Sequence, residues 1–156
     1  MIQDAVREDA PQIHAINANT SVFSPEETET VDEMLEEAFT QGYEKSGYQF
    51  IVSKEEGRLL GYACFGPHSL TDRTYDLYWI AVDPNARGGG IGKKLLAAAE
   101  DRLRLLGARL IIVETSGLPA YESTRAFYHA THYKQEAILK DFYTDGDDLV
   151  IFTKHL

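Results

Sequence analysis

The sequence predicts an α/β (α+β) fold, a mixed and mostly antiparallel sheet of about seven strands with helices on both faces. Between residues 75 and 115, a strand, a glycine-rich turn, an amphipathic helix and another strand follow one another, the pattern of a parallel strand pair with a right-handed crossover. Strand-like runs also flank Lys54-Glu55-Glu56-Gly57 and Asp145-Gly146, turn sequences typical of antiparallel hairpins. We expect residues 1–156 to form one domain.

Turn signals and apolar periodicity divide the first half of the chain into five elements. A strand is predicted at 2–6 and a helix at 9–19, whose Ile13 and Ile16 face inward. Ser24-Pro25-Glu26-Glu27 has the form of a capping box with proline at the first helical position, so a second helix should run to about Thr40. A hairpin with strands at 48–53 and 58–66 follows, and Gly66-Pro67 ends it.

The same signals predict the elements of the second half. The strand at 75–82 is apolar on both faces, as expected at the centre of a sheet, and Asp83-Pro84-Asn85 ends it. A helix at 90–106 follows and ends before Gly107, a residue suited to a left-handed cap. Its apolar positions recur at helical spacing and are predicted to be buried: Ile91, Leu95, Leu96, Ala99, Leu103 and Leu106. A strand at 109–115, a helix at 121–131 and a hairpin with strands at 136–143 and 149–154 complete the prediction.

Composition favours a cytoplasmic protein that binds neither nucleic acid nor an anionic membrane. Asp and Glu number 25 against 15 Lys and Arg, a net charge of −10, which repels polyanions and attracts a cationic amine. Cys64 is the only cysteine, so no intrachain disulfide can form, and we interpret it as a core residue. The sequence carries no signal peptide and no long apolar run, so we expect the cytoplasm.

The glycine-rich turn from Arg87 to Gly92 predicts an anion-binding site. Its glycines let the backbone approach a ligand closely, and the start of the next helix supplies unpaired N–H groups and a partial positive charge. The P-loop pattern fails because it requires glycine in place of Arg87 and Ser or Thr in place of Lys94. The Rossmann pattern G-x-G-x-x-G also fails, because its last glycine would fall on Lys93 or Leu95.

Arg87-x-x-Gly90-x-Gly92, directly after a strand, resembles the pyrophosphate loop of the GNAT family, the acetyl-CoA-dependent N-acetyltransferases. Two other stretches resemble the family in the same order: the first residues, MIQDAVREDAPQIHA, and the Phe127-Tyr128 pair beyond the loop. The resemblance covers essentially the whole chain and is densest over 76–133. It implies the GNAT acyl-CoA N-acyltransferase fold, acetyl-CoA as co-substrate without a metal, transfer of the acetyl group to an amine, and a possible homodimer.

The resemblance also implies where acetyl-CoA binds. In the family fold the two parallel strands diverge at the ligand end, so pantetheine can lie between them and pair with backbone groups. The residues expected to bind the co-substrate are Ile80, Ala81, Val82, Arg87, Gly88, Gly89, Gly90, Ile91, Gly92, Lys93, Tyr121 and Arg125. Tyr121 replaces the asparagine of the family's usual Asn-x-x-Ala-x-x-Phe-Tyr-x-x-x-Gly-Phe motif, and Tyr121 or Arg125 is expected to take over its contact with the CoA arm.

Amine acetylation requires a base for the substrate ammonium and an acid for the departing thiolate. The resemblance implies Tyr128 as the acid, a role that suits a phenol with a pKa of about 10. Two carboxylates remain open as the base. Asp76 has a register similar to that of the base glutamate in the histone-modifying branch of the family, and Glu114 lies near the end of the parallel partner strand. Backbone donors between Ile80 and Val82 are expected to stabilise the charge that develops on the thioester oxygen.

Structural interpretations compete for several other residues. Trp79 is predicted to face the core, on the side opposite Asp76 and Ile80. His132 occupies the family's glycine position and is expected to end its helix, because histidine tolerates a left-handed cap better than most residues. The resemblance implies that segments 23–48 and 141–147 shape the acceptor site. Both segments are rich in Asp and Glu, which suits a small polyamine, an aminoglycoside-like amine or a peptide N-terminus equally.

Two alternative functions stay open at the level of sequence. The chain could bind acyl-CoA as a sensor or regulatory module without turnover. The glycine loop could also hold another nucleotide in an unrelated α/β domain, a case that competition between acetyl-CoA and ATP or NAD would identify.

Overall fold

One seven-stranded mixed sheet lies at the centre of the structure, a computed structural model that describes residues 1–156. The strands are β1 (Ile2–Asp4), β2 (Gln49–Glu55), β3 (Arg58–Pro67), β4 (Thr74–Val82), β5 (Leu110–Ser116), β6 (Lys134–Thr144) and β7 (Asp147–His155). Their order across the sheet is β1-β2-β3-β4-β5-β7-β6. Only β4 and β5 pair in parallel, and every other neighbouring pair is antiparallel. The predicted fold class is confirmed.

Five α-helices connect the strands. They are α1 (Ala10–Asn19), α2 (Pro25–Gln41), α3 (Tyr43–Ser46), α4 (Ile91–Leu105) and α5 (Glu122–Ala130). The four longer helices occur where the sequence predicts them. The single turn α3 was not predicted, because four residues are too few for a helical period to be recognised. None of the helices combines the length and the apolar character needed to cross a bilayer.

Helices cover both faces of the sheet, and each face has its own core. On one face, α4 and Tyr128 of α5 pack against residues of the central strands such as Phe65 and Phe152. On the other face, α1 and α2 contribute Ile13 and Leu35 to a second cluster. Cys64 is fully buried in that second cluster, which confirms its interpretation as a core residue. The sheet therefore presents the edges of its central strands, rather than its faces, to a ligand.

Local sequence signals begin α2 and end α4 and α5 as predicted. The Oγ of Ser24 accepts a 3.1 Å hydrogen bond from the Glu27 amide, and the Ser24 amide donates in return to the Glu27 carboxylate at 3.3 Å, which completes the capping box. After α4, Gly107 has φ +77°. After α5, His132 has φ +70°, so histidine adopts the left-handed conformation that glycine usually provides.

One predicted core position of α4 is wrong. Leu106 is 45% exposed, although it continues the apolar spacing of the helix. Leu106 follows Leu105, the last residue of α4, and the chain turns at Gly107 toward β5, so Leu106 lies outside the packed part of the helix. Periodicity identifies the buried face of a helix but not the point at which the partner surface stops.

A β-bulge at Tyr78 changes the orientation of the residues that follow it in β4. Phe65 of β3 pairs with Leu77, whereas the preceding residue Cys64 pairs with Trp79, so Tyr78 is the extra residue. Tyr78 and Trp79 consequently pack on the same side, against the cluster formed with α1 and α2, while Ile80 packs on the opposite side. Strict alternation predicts Trp79 on the side opposite both Asp76 and Ile80. The prediction holds for Ile80 and is wrong for Asp76, because the extra residue of the bulge turns Trp79 to the side of Asp76.

The parallel strands β4 and β5 separate soon after they begin to pair. Their register covers only Thr74 with Leu110, Tyr75 with Ile111 and Asp76 with Ile112. Beyond Asp76, the backbone groups of β4 that point toward β5 have no strand partner. A cleft therefore opens in the middle of the sheet, and its floor is continuous with both cores.

Candidate active site

Two cavities open from the cleft between β4 and β5. We call the first, of about 750 Å³, the carboxylate cavity, because Glu27, Asp76, Glu114 and Asp147 line it. We call the second, of about 650 Å³, the glycine-loop cavity, because Arg87, Gly88, Gly90 and Gly92 line it. The two cavities share five lining residues, namely Val22, Phe23, Ile80, Thr124 and Tyr128. They meet beside β4 and α5.

The glycine-loop cavity brings together most of the residues predicted to bind the co-substrate. Ile80, Ala81 and Val82 of β4 continue into a lining formed by Arg87, Gly88, Gly90, Ile91, Gly92 and Lys93. Gly89 is exposed between them and does not line the cavity. The first α4 bond joins the Lys94 amide to the Gly90 carbonyl, so the amides of residues 91–93 are free to donate to a ligand. Together with two exposed cationic side chains, these donors suit an anion.

Backbone conformation explains the glycines of this loop. Gly88 has φ +93° and Gly90 has φ +70°, values at which other residues are strained. Gly92 is required for a different reason, because a Cβ there would lie 3.3 Å from the ring of Phe127. The loop therefore allows α4 and α5 to approach each other while its amides face the cavity.

Tyr128 stands where the two cavities meet. Its side chain is 3% exposed, and its ring packs against the rings of Phe127, Tyr133 and Phe152. Its hydroxyl group makes no hydrogen bond within the protein, although it lines both cavities. Burial raises the pKa of this phenol above its ordinary value, so the hydroxyl is protonated at neutral pH.

Asp76 is the last residue of β4 that pairs with β5, and it lines the carboxylate cavity. Its carboxylate Oδ2 is 2.8 Å from Nδ1 of His68, and the side chain is 15% exposed. Burial raises the pKa of Asp76, while the contacts with His68 and Tyr78 oppose that rise. Asp76 is therefore a partly buried carboxylate held by an imidazole.

Glu114 also lines the carboxylate cavity, but it is exposed near its mouth. Burial, followed by the charges of Glu114 and Asp147, raises the pKa of Tyr143 to about 12. Burial and the charges of Glu27 and Asp147 also raise the pKa of Tyr121. These effects show that several carboxylates act on the same side of the cavity, where His68 is the only lining side chain that can become cationic.

The loop at residues 20–24, which we call the strap, crosses the cleft above the point where the cavities meet. The hydroxyl of Tyr121 donates a 2.9 Å hydrogen bond to the carbonyl of Val22. The ring of Phe23 packs at 5.3 Å from that of Trp79, whose indole Nε1 lies 3.1 Å from the sulfur of Met34. Trp79 is thus a packing residue, as predicted, although one edge lines the carboxylate cavity.

Tyr121 and Arg125 are separated from the other predicted co-substrate residues. Tyr121 lines the carboxylate cavity and bonds to the strap, and Arg125 lines neither cavity. The Arg125 guanidinium instead donates to the carbonyls of Ser116 and Leu118 at 2.8 and 2.9 Å. Arg125 therefore holds the connection between β5 and α5 in place, and Tyr121 joins that connection to the strap.

Sequence reasoning missed His68, the bulge at Tyr78 and the strap. His68 and Asp76 flank the loop of the β3–β4 hairpin, and pairing of the His68 amide with the Thr74 carbonyl brings them together. That register would have been a usable signal. By contrast, no local pattern indicates that residues 20–24 fold over the cleft, since their partners lie up to 99 residues away.

Comparisons with known proteins give a family model and related sequences. Residues 12–133 match the family model described as the acetyltransferase (GNAT) family. A mycothiol acetyltransferase of Saccharomonospora viridis is 28% identical over 116 residues, which are 70% of this chain and 38% of that protein. The chain therefore spans well under half the length of that relative.

Solved structures extend the likeness to the whole chain. A crystal structure of a GNAT-family protein from Desulfovibrio desulfuricans superposes with a TM-score of 0.96 at 38% identity, covering 99% of this chain and 98% of that one. The yncA protein of Salmonella typhimurium, solved with its cofactor acetyl-CoA, superposes with a TM-score of 0.77 at 22% identity, covering 100% and 93%. This second likeness is one of fold.

Proposed function

The chain belongs to the acetyltransferase (GNAT) family, and from this premise we propose that it is a single-domain N-acetyltransferase that moves the acetyl group of acetyl-CoA directly to a primary amine. The acceptor is a cationic small molecule or the amine of a peptide. The observation that carries the proposal is the position of the Tyr128 hydroxyl, unbonded within the protein and shared by a cavity of free amides and a cavity of carboxylates.

Acetyl-CoA occupies the glycine-loop cavity in this proposal. The amides at the start of α4, with Arg87 and Lys93, take the pyrophosphate. The pantetheine arm runs along Ile80 and Val82, where β4 has lost its partner β5 and its backbone groups are available. A relative of the same fold was solved with acetyl-CoA, which supports this choice of ligand.

The acceptor occupies the carboxylate cavity. Its lining has four carboxylates and no lysine or arginine, so an amine that carries a free carboxylate would be repelled there. Tyrosine rings and Trp79 give the remaining surface an apolar character with a π face, which also favours organic cations. A cationic amine without an anionic group is the acceptor that this lining suits best.

The reaction requires a balanced movement of protons. The substrate ammonium loses one proton and becomes a nucleophile, and its nitrogen attacks the thioester carbonyl. The amine nitrogen forms the new N–C bond as the C–S bond breaks, and it loses a second proton when the amide is complete. The Tyr128 hydroxyl protonates the departing thiolate and is reprotonated from solvent, so each turnover releases one proton in total.

Calorimetric titration with acetyl-CoA, followed by an assay of free thiol released from acetyl-CoA, tests the proposal. We expect one acetyl-CoA per chain, and thiol release that depends on an added diamine or on an amine without a carboxylate. Free amino acids, which carry a carboxylate next to the amine, serve as matched controls and should react poorly. Binding without thiol release for any amine would instead support the alternative function, an acyl-CoA-binding regulatory module.

A further inference from the structure

We propose that His68 is the general base of this reaction and that Asp76 is the residue that positions it. The inference rests on the proposed function and assigns one of its proton transfers to an imidazole rather than to a carboxylate. It follows from three observations: the contact between the two side chains, the anchoring of the hairpin loop that carries His68, and the charges that face the ring.

The contact leaves one ring nitrogen of His68 free for chemistry. Nδ1 lies 2.8 Å from Oδ2 of Asp76. An ionised carboxylate can only accept a hydrogen bond, so Nδ1 carries the proton. The lone pair is then on Nε2, which bonds to no protein group, and the ring lines the carboxylate cavity. This tautomer is the one that can accept a proton from an ammonium group.

The loop between β3 and β4 holds His68 in place from both ends. The His68 amide donates to the Thr74 carbonyl at 2.8 Å, and the Thr71 hydroxyl donates to the His68 carbonyl at 2.8 Å. Leu70 and Arg73 have φ +62° and +64°, a conformation that residues other than glycine rarely adopt. Local strain of this kind persists where the surrounding bonds impose it, so the loop orients the ring.

Carboxylates are the other charged groups of the cavity that His68 lines. Asp76 contacts the ring, and the other ionisable groups of the cavity come from several elements: Glu27 of α2, Tyr78 of β4, Glu114 of β5, Tyr121, Tyr128 of α5, Tyr143 of β6 and Asp147 of β7. The cavity therefore attracts a cationic amine toward the ring. The His68 side chain is 44% exposed, so a proton taken up at Nε2 can leave to solvent.

Asp76 is the weaker candidate for the base itself. Its side chain is 15% exposed and one of its oxygens is already committed to His68. His68, by contrast, is 44% exposed and has a free ring nitrogen. In the proposed step, His68 Nε2 takes the proton of the ammonium, Asp76 stays ionised, and His68 returns the proton to water before the next turnover.

The test compares His68→Gln with His14→Gln. His14 forms the same Nδ1 to carboxylate contact, 2.7 Å from Asp32, on the surface outside both cavities, so its loss controls for the removal of a histidine–aspartate pair. We expect His68→Gln to lower kcat about 100-fold or more with an unchanged Kd for acetyl-CoA. We expect His14→Gln to leave both values as in the wild type.

The pH profile separates a base from a structural residue. The wild-type kcat/KM should rise with pH along a limb that reports loss of the proton from the base, and that limb should be absent from His68→Gln. Added imidazole should restore activity to His68→Ala. Asp76→Asn should lose less activity than His68→Gln, because an amide oxygen can still accept from Nδ1.

The possible outcomes are distinct. If His68→Gln keeps the wild-type kcat and pH limb while Asp76→Asn loses both, Asp76 is the base and the assignment to His68 is overturned. If the wild-type protein acetylates no amine, the proposed function fails and this inference fails with it. Acetylation by the wild type, together with loss of the limb and rescue by imidazole, supports both.

Discussion

The Tyr121 hydroxyl lies 2.9 Å from the Val22 carbonyl oxygen and bonds to it across the cleft. This bond fastens the strap to the start of α5. Val22 and Phe23 line both cavities. The bond from Tyr121 therefore holds a shared wall of the two cavities in place. In the proposed function, the acetyl group in the glycine-loop cavity and the amine in the carboxylate cavity meet beside this wall.

Loss of the strap bond should weaken ligand binding more than it slows the chemistry. A hydrogen bond of this kind contributes about 0.5–1.5 kcal/mol, so Tyr121→Phe should raise the KM for acetyl-CoA and for the acceptor by about 2- to 10-fold, with a smaller change in kcat. Steady-state kinetics measure both. Tyr75→Phe, at a position outside both cavities, is the control. A fall in kcat with unchanged KM would contradict this interpretation of the strap.

Replacement of Tyr128 by phenylalanine should separate activity from stability. The hydroxyl has no partner within the protein, so Tyr128→Phe should unfold at the wild-type temperature or slightly above it, while kcat falls about 100-fold. Its neighbour Tyr133 provides the opposite case. Tyr133 donates a 2.8 Å bond to the buried Glu100, so Tyr133→Phe should lose about 1–3 kcal/mol of stability and keep its kcat. Thermal denaturation measures the stability of the two variants, and thiol-release assays measure their kcat.

Aspartate in place of Gly90 should abolish binding of acetyl-CoA. The substitution adds a negative charge beside the free amides at the start of α4 and strains a residue at φ +70°. Gly57→Asp is a matched control, since Gly57 has φ +78° in the β2–β3 turn with open space around it. Calorimetry should detect binding only to the control. Equal affinities in the two variants would show that the loop does not hold the ligand.

The pKa of Asp76 predicts a stability difference that depends on pH. Burial raises this pKa in the folded protein, so the folded state binds the proton more tightly than the unfolded state. The stability contributed by Asp76 is fully present below its unfolded pKa and is lost as the pH rises through its folded pKa. Asp76→Asn should therefore unfold at a higher temperature than the wild type at pH 7.

The same difference should shrink as the pH is lowered into the range in which a free carboxyl is protonated. Thermal denaturation of Asp76→Asn and wild type at a series of pH values measures it. Glu114→Gln removes an exposed carboxylate from the same cavity and serves as the control. A variant that is less stable than the wild type at pH 7 would show that the bond to His68 outweighs the cost of burying the charge.

The sequence predicts those parts of the fold that depend on near neighbours. The capping box of Ser24, the left-handed caps at Gly107 and His132, and the hairpin turn at Gly146 each depend on residues within a few positions. The glycine loop belongs to the same group in its conformation, because Gly88 and Gly90 have positive φ. These local conformations agree with the structure, and ligand binding by the loop stays a prediction.

The parts that the sequence does not predict depend on distant partners. The bulge at Tyr78 exists only relative to β3, and it changes which face Trp79 and Ile80 occupy. The strap bond joins Tyr121 to Val22, a contact that no local pattern indicates, and the expected contact of Tyr121 or Arg125 with the CoA arm stays a prediction. Leu106 is exposed because α4 ends at Leu105 and the chain turns at Gly107. The catalytic and binding roles of the site residues remain predictions that the experiments above address.

The unbonded hydroxyl of Tyr128 has a consequence for the evolution of such proteins. The folded chain gains nothing from that oxygen, so selection for folding alone would not retain it. A single nucleotide change from tyrosine to phenylalanine would leave a protein that folds, keeps its anion loop and still holds the thioester. Under the proposed function, an enzyme and a protein that only binds acyl-CoA can therefore differ by one substitution that leaves stability unchanged. In that case the tyrosine reports selection for turnover, which the rest of the core does not.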